Sequence, residues 1–140
     1  MRITCNSEEM DIHLIHSFLS EESQWAKGIS LPVVEKSVKN SLCFAGYVGS
    51  SQMAFARVVS DYATFANLVD VFVLPDHRGN GYGKKILEAV LSHSELQGLR
   101  RFTLATGDAH GLYQQYGFTE LAKPQVFMEK YNPNVYTASP

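Results

Sequence analysis

Apolar positions along this chain change their spacing several times, and each change marks an element. Ile3-Thr4-Cys5 reads as a short first strand. Ser7 offers an N-cap, and Glu8 and Glu9 follow in a first turn where the helix dipole favours negative charge. Ile12, Ile15, Phe18 and Leu19 recur at helical spacing, which predicts an amphipathic helix over residues 8–19. Ser20 to Ser30 is polar and irregular apart from Trp25. Leu31-Pro32 opens a second helix, with proline at a tolerated first-turn position and Val33, Val34 and Val38 expected to face inward. Two apolar runs, Leu42–Val48 and Met53–Val59, flank the turn residues Gly49-Ser50-Ser51 and predict an antiparallel hairpin. Asp61-Tyr62 breaks the pattern, and Phe65 to Leu74 forms a third apolar strand ending at Pro75. Helical spacing returns at Ile86, Leu87, Val90 and Leu91, and Gly98 marks a helix end. Arg101–Ala105 reads as a strand, Asp108 as the cap of a helix running to about Tyr116, and Phe118–Leu121 with Val126–Glu129 as a closing hairpin.

The resulting order, β-α-α-β-β-β-α-β-α-β-β, is an α+β layout: a mixed, mostly antiparallel sheet flanked by helices. The crossover helix at residues 84–92 imposes one parallel neighbour. Residues 1–131 form one domain, and residues 132–140 form a loose tail without an apolar period. A chain of 140 residues with 45% hydrophobic content fills a single core. Its formal net charge of -2 supplies no basic face to displace counterions from phosphates, so no nucleic-acid partner is expected. No apolar run approaches the roughly 20 residues that span a bilayer. The start, Met1 to Asn6, lacks the apolar stretch of a signal peptide, so no membrane partner and a cytoplasmic location are expected. Cys5 and Cys43 lie in apolar, strand-like contexts and are expected to be buried free thiols.

The chemistry concentrates after the third long strand, in Arg78-Gly79-Asn80-Gly81-Tyr82-Gly83 followed by Lys84 and Lys85. Glycines let backbone N–H groups converge on an anion, and the following helix N-terminus adds unpaired donors and a partial positive charge. Arg78 contributes a forked cation suited to phosphate oxygens. The plainer alternative is a flexible glycine turn with ordinary surface cations. A P-loop would need Ser or Thr after its lysine, where this chain has Lys85. A dinucleotide loop would need Gly-x-Gly-x-x-Gly, whereas Gly79, Gly81 and Gly83 run at intervals of two.

The pattern Val73-x-Pro75-x-x-Arg78-Gly79-x-Gly81-x-Gly83 resembles the coenzyme A loop of the GNAT superfamily of N-acetyltransferases, Arg/Gln-x-x-Gly-x-Gly/Ala. Tyr113-Gln114-Gln115-Tyr116-Gly117-Phe118 resembles the family's second signature, Tyr-x-x-x-Gly-Phe, and the likeness extends to about Tyr131. The stretches from Asp61 to Phe65 and from Asp108 to Tyr113 are similar to those of short bacterial members without assigned substrates. The resemblance implies a GNAT-like fold, acetyl-CoA as co-substrate and no metal. It implies acetyl transfer to a primary amine by direct attack within a ternary complex. A catalytically silent coenzyme A-binding or sensing module on the same fold is the alternative.

The same resemblance implies roles for particular residues. The third long strand would part from the strand at 101–106, and the backbone of Val71, Phe72 and Val73 would hold the pantetheine arm in the slot. Arg78, Gly79, Asn80, Gly81, Tyr82, Gly83 and Lys84 would hold the pyrophosphate. Tyr113 stands where many members carry the tyrosine that protonates the departing thiolate, a reasonable task for a phenol of ordinary pKa about 10. Tyr116 is its rival. Thr106 replaces the asparagine that many members use on the cofactor. Strand alternation puts Leu68, Asp70 and Phe72 on one face, and a carboxylate in so apolar a strand needs partners. Asp70 is therefore either the base or acceptor-binding group, or a hydrogen-bond anchor, and water is the base in many members. Trp25, in the connection that would wall the acceptor site, either stacks on substrate or covers core. His110 reads as a solvated helix residue, and His13 and His16 share a helical face without a third ligand. The acceptor is a small-molecule or protein amine, and the family resemblance allows a homodimer.

Overall fold

The computed structural model describes residues 1–137. Five strands form one sheet in sequence order: β1 (Arg2–Thr4), β2 (Leu42–Val48), β3 (Ser51–Ser60), β4 (Phe65–Val73) and β5 (Arg101–Leu104). The first four are antiparallel neighbours, and β5 lies parallel to β4. The parallel pair follows from its crossover through α3 (Tyr82–Ser92), as the spacing of Ile86, Leu87 and Val90 predicts.

Helices cover both faces. Ile15 of α1 (Ile12–Ser17) and Val34 and Val38 of α2 (Leu31–Lys39) pack with Ala45, Phe55 and Phe72 on one side. On the other, Ile86, Leu87 and Val90 pack with Phe44, Ala54, Ala56, Val58, Ala66 and Leu68. β2 and β3 are covered on both faces, which is why they read as nearly unbroken apolar runs.

Several expectations require correction. The helix expected over residues 8–19 is three pieces: a single turn at Ser7–Glu9, then α1, then a π-type turn at Phe18–Glu22. The caps are Asn6, which accepts from Glu8 N–H, and Asp11, which accepts from Leu14 N–H; Ser7 is not the cap. Val33 is exposed because only Val34 and Val38, four apart, share the inward stripe of α2. Cys5 is exposed, whereas Cys43 is buried and burial pushes its thiol up to about 12. The expected closing hairpin is absent among the described residues: from Phe118 the chain has no strand, only a short turn at Pro124–Val126. The sheet therefore has five strands, and β5 is its edge. Of the expected tail, residues 133–137 form a turn closed by Thr137 N–H to Asn134 O, and residues 138–140 lie outside the described residues.

One irregularity shapes everything near the site. In the β3–β4 ladder Arg57 faces Val69 and Phe55 faces Phe72, so Asp70 and Val71 together oppose Ala56 alone. This is a β-bulge, and Asp70 sits in it with φ +56. The extra residue resets the alternation. Leu68 packs under α3, while Phe72 packs under α1 and α2, stacked on Phe18 with ring centroids 4.0 Å apart. The expectation that Leu68, Asp70 and Phe72 share one face thus fails, because a strict period of two cannot run through a bulge.

Candidate active site

β4 and β5 pair only from Phe65 and Arg101 to Leu68 and Leu104, after which the two strands separate. The parting coincides with the bulge. Thr103 Oγ1 donates to Asn67 Oδ1 at 2.9 Å and closes the lower end of the opening. Beyond it, Leu74 N–H bonds Met53 O at 2.8 Å, which directs that residue's backbone toward β3. By alternation Val71 and Val73 turn their backbone groups toward the open side. A 40 Å³ cavity lined by Leu68, Val71, Gly83, Ile86, Leu112 and Tyr113 lies at the parting.

The glycine loop caps the far end of β4. Pro75–His77 makes one turn, Arg78 is extended, and Arg78 Nε donates to Val73 O at 2.9 Å. That bond fastens the loop to the strand while leaving the rest of the guanidinium at the surface. Gly79 and Gly81 have φ +84 and +77, a region that costs an L residue about 1–2 kcal/mol. Nothing lies within 4 Å of where their Cβ atoms would be, so conformation rather than crowding demands glycine there. Loop backbone bonding stops at Arg78 N–H to Pro75 O and resumes at Lys85 N–H to Gly81 O. Among the described residues, the N–H groups from Gly79 to Lys84 thus lack a backbone partner. No side chain caps α3, and Lys84 and Lys85 are exposed on its first turn. Asn80 Nδ2 donates to His77 O at 3.1 Å and braces the loop. Backbone donors without backbone partners at a helix start, with cationic side chains beside them, are an arrangement that can receive an anion such as phosphate.

On the other side of the opening stands α4 (His110–Gln114). Its start is tied by Thr106 Oγ1, which accepts from Ala109 N–H at 3.1 Å and from Asp108 N–H at 3.4 Å. The expected cap, Asp108, instead lends its backbone donor to that hydroxyl. Thr106 thus spends its acceptor capacity on the turn and keeps its own proton to donate. Tyr113 lines the cavity, packs edge-on against Phe118 at 5.9 Å, and is partly buried. Desolvation, with the Asp108 charge nearby, raises its pKa above the ordinary phenol value. Tyr116 points elsewhere and donates to Glu88 Oε1 at 3.0 Å. His110 is exposed as the first residue of α4, and His16 Nε2 bonds Ile29 O at 3.0 Å rather than facing a ligand with His13.

Asp70 is buried and fully engaged. Its Oδ2 accepts from Arg57 Nε at 2.8 Å in an ion pair, and its Oδ1 accepts from Trp25 Nε1 at 2.8 Å. Arg57 Nη1 also donates to Ser41 Oγ at 3.0 Å. Two charged bonds of this kind offset the strain of a left-handed aspartate. Trp25 is 51% exposed, so its indole edge is anchored while much of its ring remains accessible. Sequence reasoning missed Arg57. The signal was present in a lone cation inside the apolar run Met53–Val59, one strand away from a lone carboxylate.

Known proteins agree with this architecture. The family model described as an acetyltransferase (GNAT) domain matches residues 39–120. A crystal structure of a candidate acetyltransferase of the GNAT family from Xanthomonas campestris pv. campestris is 55% identical. It superimposes with a TM-score of 0.96 over 98% of this chain and 96% of that one. A protein of Gibberella zeae, named as a candidate acetyltransferase, is 28% identical over 126 residues, spanning 74% of this chain and 70% of its own length. A GNAT acetyltransferase from Elizabethkingia anophelis, solved with acetyl-CoA bound, shares the fold at 14% identity. Its TM-score is 0.63 over 84% of this chain and 75% of that one. The strand that parts from its parallel neighbour, the donor-rich loop at its end and the match over residues 39–120 all agree: this chain belongs to the GNAT acetyltransferase family.

Proposed function

We propose that this protein transfers an acetyl group from acetyl-CoA to a primary amine by direct attack within a ternary complex. The observation that carries the reading is the run of backbone N–H groups from Gly79 to Lys84, without backbone partners among the described residues, at the mouth of the β4–β5 opening. Acetyl-CoA supplies an activated acyl group as a thioester. Arg78, Gly79, Asn80, Gly81, Tyr82, Gly83 and Lys84 hold its pyrophosphate through backbone donors and cationic side chains. The outward backbone groups of Val71 and the N–H of Val73, whose carbonyl accepts from Arg78, align the pantetheine arm as an added strand would, with Phe72 anchoring that stretch from the opposite face. The Thr106 hydroxyl, which accepts from Asp108 and Ala109 N–H and can still donate, would contribute a further bond to the cofactor.

Tyr113 serves as the acid. Its raised pKa keeps the phenol protonated across the neutral range, and its presence in the lining of the cavity supports the acid role. The bond from Arg57 to one Asp70 oxygen and from Trp25 to the other favours the anchor role over the base role, because taking up a proton would weaken the ion pair. Asp70 then acts by holding Trp25, whose accessible ring forms part of the acceptor wall, and water takes the amine proton. The test is thiol release from acetyl-CoA across a panel of primary amines. Amine-dependent thiol release is expected, and saturable acetyl-CoA binding without turnover on any amine would instead identify a silent coenzyme A module.

A further inference from the structure

The helices α1 and α2 cover only part of their face of the sheet. Their cluster takes in Ala45, Phe55 and Phe72. Two residues past Phe55 on β3 the side chain on this face is Arg57, and two further on it is Val59, 43% exposed. The register carries this uncovered strip onto the next strands. Arg57 faces Val69 and Val59 faces Asn67 on β4, while Asn67 faces Thr103 on β5. Phe65, at the start of β4, belongs to it and is 40% exposed. On the opposite face Ala56, Val58, Ala66 and Leu68 are buried with the α3 side chains. From Phe65 to Val69 the strip runs about 13 Å, enough for a small molecule.

The strip begins where β4 parts from β5. Asp70 stands there, and its two oxygens hold Trp25, with its half-exposed ring, and Arg57. The carboxylates next to the strip are already committed. Asp70 is paired with Arg57, and Asp61, at the far turn, accepts from Ala63, Thr64 and Phe65 N–H and from the Thr64 hydroxyl. One polar group is not committed. Asn67 Oδ1 accepts from Thr103 Oγ1 at 2.9 Å, which orients the amide, and Asn67 Nδ2 is an accessible donor without a partner among the described residues. Val59 and Val69 flank it with apolar surface.

We propose that the body of the acetyl acceptor lies on this strip, and that the acceptor is a small primary amine with an apolar body bearing a carbonyl or hydroxyl oxygen. Asn67 Nδ2 donates to that oxygen, Val59 and Val69 lie under the apolar part, and Trp25 stands at the end by the opening. That the ligand is an amine rests on the acetyl-transfer reading; its shape and polarity rest on the strip. A donor set among apolar side chains rejects a ligand that covers it without bonding it, so Asn67 sorts one apolar amine from another. A polyamine would bring further ammonium groups out of water to a surface whose neighbouring carboxylates are taken.

Trp25 is the chain's only tryptophan, so its emission reads binding beside the strip without turnover. Three probes are titrated in the presence of coenzyme A: phenylalanine amide, phenethylamine, which has the same body without the carboxamide, and spermidine. Phenylalanine amide is expected to bind about tenfold more tightly than phenethylamine, with spermidine weakest. Asn67→Asp keeps the oxygen that Thr103 holds and loses the donor, so the tenfold advantage should disappear while calorimetry gives an unchanged acetyl-CoA affinity. Val59→Ser, at an exposed position that does not endanger the fold, should weaken both aromatic amines about threefold and leave spermidine unchanged. Spermidine binding as tightly as phenylalanine amide would overturn the proposal, as would an advantage that survives Asn67→Asp or no saturable response to any probe. The expected binding order without thiol release from acetyl-CoA would support the strip and overturn the transfer reading instead.

Discussion

The two ends of β4 are built from the same kinds of residue yet stand in opposite situations. From Ala66 to Leu68 the strand is paired on both sides, with β3 and with β5. From Val71 to Val73 it is bonded to β3 alone, and its other side faces an opening. Between them lies Asp70, one extra residue in the ladder, held in a left-handed conformation by Arg57 and Trp25. The lesson is that a single polar residue can end the pairing of a strand on one side while the strand continues on the other. Hydrophobicity decides that β4 is buried; the bulge coincides with the point where its pairing with β5 ends.

The largest effect should come from removing the residue that divides the two halves. Asp70→Ala leaves the partly buried Arg57 cation unpaired and the Trp25 N–H without its partner, and breaking a buried pair costs about 3–5 kcal/mol. Chemical denaturation should show that loss as a lower midpoint. A change below about 1 kcal/mol would mean the ion pair does not hold the bulge.

Next in size is the chemistry on the open half. Tyr113→Phe keeps the packing against Phe118 and removes only the proton, so turnover should fall by about 10²-fold or more with little change in acetyl-CoA affinity. With desolvation raising the Tyr113 pKa, the unaltered enzyme should keep its acid form beyond about pH 10, and the alkaline loss of activity assigned to this group should vanish in the variant. Near-normal turnover in Tyr113→Phe would remove the residue from the mechanism.

The smallest effect lies at the entry to the paired half. Asp61 accepts from the N–H groups of Ala63, Thr64 and Phe65 and from the Thr64 hydroxyl, and these bonds hold its pKa well below the usual carboxylate range. A depressed folded pKa adds stability above the unfolded value of about 3.9, and that stability is lost as pH falls through the folded value. Asp61→Ala should therefore be slightly less stable than the unaltered protein at neutral pH, with the gap narrowing below about pH 4. A gap independent of pH would deny the charge any part in it.

The sequence made β2 and β3 legible as nearly unbroken apolar runs, and the first half of β4, α2 and α3 legible because each keeps one period from end to end. The anion loop was legible for another reason: Gly79 and Gly81 occupy conformations that few other residues adopt, and their spacing is visible in one dimension. The bulge was not legible, since a lone Asp70 in an apolar strand announces a partner but not a change of face. The helix expected over residues 8–19 split because Asn6 and Asp11 cap separately and the chain widens at Phe18–Glu22. At the C-terminus the periods at Phe118–Leu121 and Val126–Glu129 suggested strands that the single chain lacks among its described residues.

The account rests on the open half of β4 and the loop at its end acting together as a coenzyme A site. Calorimetric titration of acetyl-CoA into the unaltered protein and into Gly81→Val measures this directly. A β-branched residue strains the left-handed position at φ +77 and displaces the backbone donors without touching the core. Saturable binding to the unaltered protein, weakened about tenfold or more in Gly81→Val, is the expected result. Tight nucleoside triphosphate binding with no acetyl-CoA binding would contradict it.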